Sequence, residues 1–433
     1  MRFIFQLRAV FGALFLGLLV ACGGSNPDED QEQTATAVTT TSAAKPLQAQ
    51  LYLESSGSMF PYEADAGGDF NNAVQQVIGA FHNLPPHKAR LYTVNDKVYP
   101  LNVDLPTFIG TPNLFSLTKG KGNPTTTNFR GIFNHLLDSL RQGQVAILVS
   151  DLIYSDASTA KVSASAALAN IRDLMDVTFS PHAGKSAVLV VKMKSDFKGK
   201  YYARTGAISY AGSRPYYLVL ISDKATMQRL LTEEKLAPLR RFADLPGYEA
   251  QHYFGPGVTP TYSVLEKDPN QAGEFDPDAK EEVQGSGEII HAIENVEADP
   301  ATGQLTIAVG VKLRGLPLDA SYLTNPASYQ ITSPDGFKVS KVQLNPTTAP
   351  GYTHKILLST KQRVSSGKHE VRIALRRQFP PTWVIRTGTD NDGRSNPNFA
   401  NTTFGFTALM QGIENAYNKD QTPTYFTLTL QLD

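Results

Sequence analysis

In the run Leu51-Tyr52-Leu53-Glu54-Ser55-Ser56-Gly57-Ser58-Met59, an apolar stretch gives way at once to oxygen-bearing side chains. Glu54, Ser56 and Ser58 stand at positions i, i+2 and i+4. If the apolar stretch is a strand of an open parallel sheet, these residues lie beyond its carboxyl end, where ligands collect in such sheets. A carboxylate and two hydroxyls at that spacing can converge on one small hard cation, which takes oxygen ligands. The plain alternative is that Ser56 and Ser58 cap the helix that follows. Other chemistry-bearing residues carry less. Lys119-Gly120-Lys121-Gly122 lacks the spacing of a phosphate-binding loop and reads as a flexible loop. Asp390-Asn391-Asp392-Gly393 has no downstream bidentate glutamate and reads as a turn instead of a calcium loop. The histidines, His82, His87, His135 and His291 among them, show no zinc spacing. Trp383, after Pro380-Pro381-Thr382, is expected in the core.

The elements that would position Glu54 follow from periodicity. Ala49–Leu53, Ala89–Val94, Val145–Val149 and Ala187–Val191 are short apolar strands. Phe70–Leu84, Phe129–Leu140 and Ala164–Met175 repeat apolar residues at helical spacing. A hairpin is expected around Ile208–Ile221 with Gly212-Ser213 as its turn, then a helix from Lys224 to about Phe242. Apolar strands alternating with amphipathic helices predict an α/β domain over 47–257, doubly wound, with a mostly parallel sheet covered on both faces.

Residues 258–286 are rich in Pro, Gly, Asp and Glu and are expected to form a linker. From 287 to 433 the period changes to two, in Gln304–Leu313, Phe337–Leu344, Lys355–Leu358 and Val371–Leu375, which predicts an all-β, sandwich-like domain. A helix near Phe404–Tyr417 interrupts it before the last strand, Tyr425–Leu432.

The N-terminus carries Arg2 and Arg8, an apolar run from Ala9 to Ala21, and then Cys22, the only cysteine. The apolar run falls short of the roughly 20 residues a membrane-spanning helix needs and reads as an export signal. Leu19-Val20-Ala21-Cys22 resembles the lipobox of bacterial lipoproteins, which implies a signal peptide over 1–22 and lipidation of Cys22. The other possibility is an ordinary signal peptide that contains a cysteine. With no second thiol, no disulfide can form within the chain. Residues 23–46 are almost free of apolar side chains and read as a flexible tether. Gly23 lacks the aspartate associated with inner-membrane retention, which favours an outer-membrane address within the cell envelope. Forty basic residues balance forty acidic ones, without a basic stripe, which argues against a nucleic-acid partner.

The Glu54-Ser55-Ser56-Gly57-Ser58 segment resembles the Asp-x-Ser-x-Ser signature of von Willebrand factor A domains, whose metal ion-dependent adhesion site holds Mg²⁺ or Mn²⁺. The likeness covers roughly Leu47 to Gly255. The family also uses a threonine before a helix. Thr127 of Thr125-Thr126-Thr127-Asn128 matches it best, with Thr126 close behind. It uses an aspartate after the next central strand, matched by Asp151 after Val145–Val149. The resemblance implies Glu54, Ser56, Ser58, Thr127 and Asp151 as metal ligands, and one open position for a carboxylate from a protein partner. Glu54 departs from the family's aspartate. That extra methylene admits a water-mediated role, a larger ion such as Ca²⁺, or an empty site. Asn325–Thr332 and Gly367–Val371 resemble strands of bacterial immunoglobulin-like modules. The leading expectation is a non-enzymatic envelope lipoprotein that binds a protein. An assembly factor with a vestigial metal site is the alternative, and a serine hydrolase using Ser56 or Ser58 is the weakest.

Overall fold

β1 (Gln48–Glu54) is buried from Ala49 onward because it runs between two parallel neighbours, β2 (Lys88–Val94) and β4 (Gln144–Ser150). A computed structural model describes residues 45–63, 68–154, 162–204, 206–283, 287–313, 315–419 and 423–433. Cys22, the signal and nearly all of the tether lie outside the described residues. β3 (Val98–Pro100) pairs antiparallel with the outer side of β2. On the other side of β4 come β6 (Gly206–Asp223), β5 (Ser186–Ala203) and β7 (Tyr248–Phe254), each antiparallel to its neighbour. The sheet order is β3-β2-β1-β4-β6-β5-β7. The sheet is therefore mixed, and only β2, β1 and β4 pair in parallel, against the expectation of a mostly parallel sheet. Apolar runs report burial on both faces, and the covering helices supply that burial whatever the strand direction.

α1 (Asp69–His82), α2 (Leu105–Gly110) and α5 (Lys224–Thr232) cover one face, packing Phe70, Phe108 and Leu230 with Leu51, Leu53, Ile147 and Leu218. α3 (Phe129–Asp138) and α4 (Ala164–Ala183) cover the other, where Phe133 and Phe179 meet Tyr52, Leu148 and Val190. Side-chain oxygens of Asn128, Ser163 and Asp223 cap α3, α4 and α5 by accepting from Gly131, Ala166 and Thr226 N–H. The helix expected to run from Lys224 to Phe242 stops at Thr232. Glu233 is extended, and a 3₁₀ turn with Pro238 inside it follows.

The second half of the chain builds two more sheets. β8 (Thr261–Val264), β11 (Leu305–Lys312), β13 (Lys338–Leu344) and β14 (His354–Thr360) form one, in the order β13-β14-β11-β8. β9 (Glu274–Val283), β10 (Gly287–Glu297), β12 (Tyr329–Thr332), β15 (His369–Arg376) and β18 (Thr424–Leu432) form the other, in the order β12-β15-β18-β10-β9. Their pairings are antiparallel except where β10 meets β18, and a short helix, α6 (Ala320–Leu323), lies between β11 and β12. β8 and β9 both fall in the stretch expected to be a linker. Both are edge strands; the proline and charges of β9 are tolerated at an edge and hide it, while β8 is only four residues long and follows Pro256 and Pro260. Residues Lys45–Asp433 form one compact unit, and one apolar cluster continues from the α1 face of the large sheet into both β sheets.

Between β15 and β18 the chain returns to the α/β layer. It makes α7 (Thr382–Thr387), the short pair β16 (Gly388–Thr389) and β17 (Thr403–Phe404), and α8 (Phe406–Asn418). α8 is the helix that interrupts the β pattern, and it packs against α4 on the face of the large sheet. Phe406 stacks on Tyr217 with ring centroids 4.4 Å apart, and the Tyr417 and Ser186 hydroxyls are 2.7 Å apart. Gly412 allows the approach, since a Cβ there would meet the Arg172 carbonyl and stand 2.6 Å from the Met175 Cβ. Trp383 packs beside Phe406 in this second core. No described helix is long and apolar enough to cross a membrane. The whole is a mixed α/β structure with several sheets.

Candidate functional site

β1, β2 and β4 are parallel, so their carboxyl ends open on the same side, and the polar residues there, Glu54, Ser55, Asn95, Ser150 and Asp151, are all buried. Thr127 Oγ1 donates to Glu54 Oε1 at 2.6 Å, and Ser150 Oγ donates to Oε2. The Ser56 and Ser58 hydroxyls are 3.0 Å apart. Asp151 Oδ1 accepts from Ile153 N–H at 3.1 Å, and Asp151 N–H points at Met59 Sδ, 3.1 Å away. The backbone turns sharply off β4, with Leu152 at φ 51°, the left-handed region that a bulky residue enters only under strain of about 1–3 kcal/mol. Strain of that kind collects where a side chain must be aimed.

Two carboxylates share this space. Burial pushes Glu54 above the usual carboxylate range, and the Asp151 charge adds to the effect. Hydrogen bonds from Ser150, Thr127 and Ser56 oppose it. Burial also raises Asp151, opposed by Ile153 N–H, the Ser58 hydroxyl and the Arg214 charge. Although Ser58 is near enough to favour the Asp151 anion, Oδ2 itself has no hydrogen-bond partner in good geometry. Arg214, 1% exposed, lies with its guanidinium 3.9 Å from the Tyr201 ring centroid and donates to the carbonyls of Phe399 and Thr402. It serves the site as a nearby charge. The donor set is thus all oxygen: two carboxylates and the hydroxyls of Ser56, Ser58 and Thr127. Among the described residues no cluster of three or more His, Cys, Asp or Glu side chains accompanies it.

All five residues singled out from the sequence meet here. Sequence reasoning missed the residues that hold them. Thr93 Oγ1 lies 2.7 Å from Ser55 Oγ, and Asn95 Nδ2 donates to Ser55 Oγ at 3.2 Å and to the Lys121 carbonyl at 2.9 Å. The Asn95 carbonyl accepts from Asn128 N–H, and the Pro124 carbonyl from Gly57 N–H. These bonds fasten the Thr127 loop to the end of β1. The available signal was a polar residue directly after each apolar run, as at Asn95 and Ser150. Above the hydroxyls opens a cleft of about 500 Å³, lined by Ser56, Ser58, Thr127, Phe60, Ile153 and Tyr202. Tyr202 arrives from the far end of β5 and rests on Gly57, 3.2 Å from where a Cβ would stand. Asp392, expected in a turn, is buried and accepts Arg204 N–H at 2.8 Å, which anchors that hairpin end. No protein-family model, no curated protein and no solved structure matches the chain.

Proposed function

We propose that the protein is a lipid-anchored cell-envelope protein that binds a protein partner through a von Willebrand factor A-like domain, with a divalent cation in the site. One observation carries the reading. Glu54, Ser56, Ser58, Thr127 and Asp151, drawn from three separate segments, meet at the carboxyl ends of neighbouring parallel strands, and the buried Asp151 Oδ2 lacks a partner there. Two buried carboxylates are costly together unless positive charge offsets them. A hard cation would supply it, and hydroxyl plus carboxylate oxygens suit Mg²⁺ or Mn²⁺, with Ca²⁺ a lesser fit. Ser56, Ser58 and Thr127 would give neutral oxygens, Asp151 and Glu54 the charge. The bound ion would polarise a carboxylate from the partner, and no covalent step follows. The pairing of Ser56 with Ser58, hydroxyl to hydroxyl, supports ligand roles over nucleophilic ones. The β sheets of the second half would be an immunoglobulin-like sandwich that serves as spacer. Lipid on Cys22 and the tether after it would hold the site off the outer membrane.

A second reading, an assembly factor with a vestigial site, draws on the bonds Glu54 already makes to Thr127 and Ser150. Calorimetric titration of the purified protein with Mn²⁺ separates the two. Saturable heat that disappears in Asp151→Ala supports the cation site, and no heat in either protein favours the vestigial one. In a bacterial host, labelled palmitate is expected in the wild type and absent from Cys22→Ala. Equal label in both would defeat the anchor.

A further inference from the structure

β5 and β6 run on together well past the end of β4, whose last paired residue, Ser150, faces Tyr217. The free part of this hairpin alternates strictly. Phe197, Tyr201 and Ala203 point inward and are buried, while Lys198, Lys200 and Tyr202 are exposed. Residues on one face of a strand recur about every 6.6 Å, so these three form a row that ends at the cleft. Their cross-strand partners on β6 are Ala211, Ser209 and Ala207. Directly opposed residues share a face, so the row of long side chains is flanked by small ones. The result is a shelf: two lysines, then a tyrosine, with open space alongside and with Asp196 exposed on the same face beyond Lys198.

The mouth of the cleft also carries exposed apolar side chains. Six large hydrophobic side chains are left exposed among the described residues, and two of them, Tyr202 at 42% and Phe60 at 40%, stand across this one opening. A third, Val162, offers its carbonyl to Arg204 at the same hairpin end. Elsewhere such side chains are scattered, and an apolar pair beside basic residues at a polar-floored cleft marks a binding surface.

We propose that shelf and cleft together take an extended, acidic segment of a partner protein in which a bulky apolar side chain stands beside a carboxylate. The apolar side chain fits between Tyr202 and Phe60. The neighbouring carboxylate reaches down to Ser56, Ser58 and Thr127, and further acidic residues lie along Lys200 and Lys198. The part played by the cleft rests on the cation reading above, because Asp151 beneath its floor repels an anion unless a cation intervenes. The shelf does not need the cation.

A random dodecapeptide phage library panned on the purified full-length protein in Mn²⁺ tests this. Enrichment of Asp or Glu next to Phe, Tyr, Leu or Ile is expected. The best synthetic peptide should lose at least tenfold in affinity to Lys198→Glu/Lys200→Glu and to Tyr202→Ser. All three residues are exposed, and an unchanged melting temperature verifies the fold. Enrichment of peptides without that pattern, or none, overturns the proposal. So does a peptide indifferent to the hairpin substitutions, even one whose binding needs Mn²⁺, and that result leaves the cation reading standing. Binding that persists in EDTA but falls with the hairpin substitutions keeps the shelf and removes the cation.

Discussion

The amide of Asn95, fully buried, bridges the end of β1, at the Ser55 hydroxyl, to the Lys121 carbonyl of the loop leading to Thr127. Asn95→Ala leaves the Lys121 carbonyl and Ser55 hydroxyl without that donor. It should cost about 1–3 kcal/mol in urea denaturation, and a change under 0.5 kcal/mol would show that the loop is held by other means. A second buried polar residue carries a larger share. Lys355, 1% exposed, donates to both oxygens of Asp268 at 2.9 and 2.7 Å and to Thr348 at 3.0 Å. Burial pushes the Asp268 carboxyl up, but hydrogen bonds from Lys355, Asn270 and Thr348 outweigh it and hold it at about 2. Lys355→Met strands that charge and should destabilise by about 3–5 kcal/mol, with most of it recovered in the double variant Lys355→Met/Asp268→Leu. Additive losses in that cycle would refute the coupling. At this scale the sequence was legible where a polar residue follows an apolar run, as at Glu54 and Asp151. It was silent where partners come from distant segments: Ser150 meets Glu54 across 96 positions, and Tyr202 covers Gly57 from the tip of another strand.

Gly412 decides how closely α8 can lie on α4. Gly412→Leu should push the helices apart and cost at least about 1–3 kcal/mol. Its thermal midpoint should fall, while that of Gln411→Ala, on a partly exposed turn of the same helix, should move much less. Equal midpoints would mean the contact is not tight. The helices and central strands were readable from periodicity because each buries a continuous face. The rest was not, for three separate reasons. Gly212-Ser213 has turn composition yet lies inside β6, opposite Phe197 and Asp196, and the chain reverses instead beside Arg204 and Gly206. β9 looks like linker because an edge strand accepts proline and charge, and β8 because it is only four residues long. α8 looked foreign to a β domain because its apolar face belongs to a sheet some two hundred residues earlier in the chain. Composition records how much a segment buries, but not against what.

Acid response belongs to the molecule as a whole, since its contributors sit in different layers. His252 packs against Phe254 and Phe379, and burial, with the Arg377 charge, pushes it from 6.5 down to about 3. Between those values the unfolded chain binds a proton that the folded chain refuses. The stability from this group is therefore complete above pH 6.5 and lost as pH falls toward 3. Burial shifts His354 the same way, to about 4. Glu63 acts in the opposite sense. Burial raises it to about 7, so its contribution is present below its ordinary value and lost as pH rises through 7. Comparing variants isolates one term: His252→Phe should gain about 1.4 kcal/mol on the wild type for each unit of acidification between pH 6 and 4. A constant difference across urea titrations in that range would exclude the histidine as the source. The order of the five-stranded sheet has a consequence in time. β18, Thr424–Leu432, lies between β15 and β10, not at an edge. A ribosome delivering the chain from its N-terminus cannot close that sheet until this strand has emerged, so the β half stays open through almost all of its own synthesis.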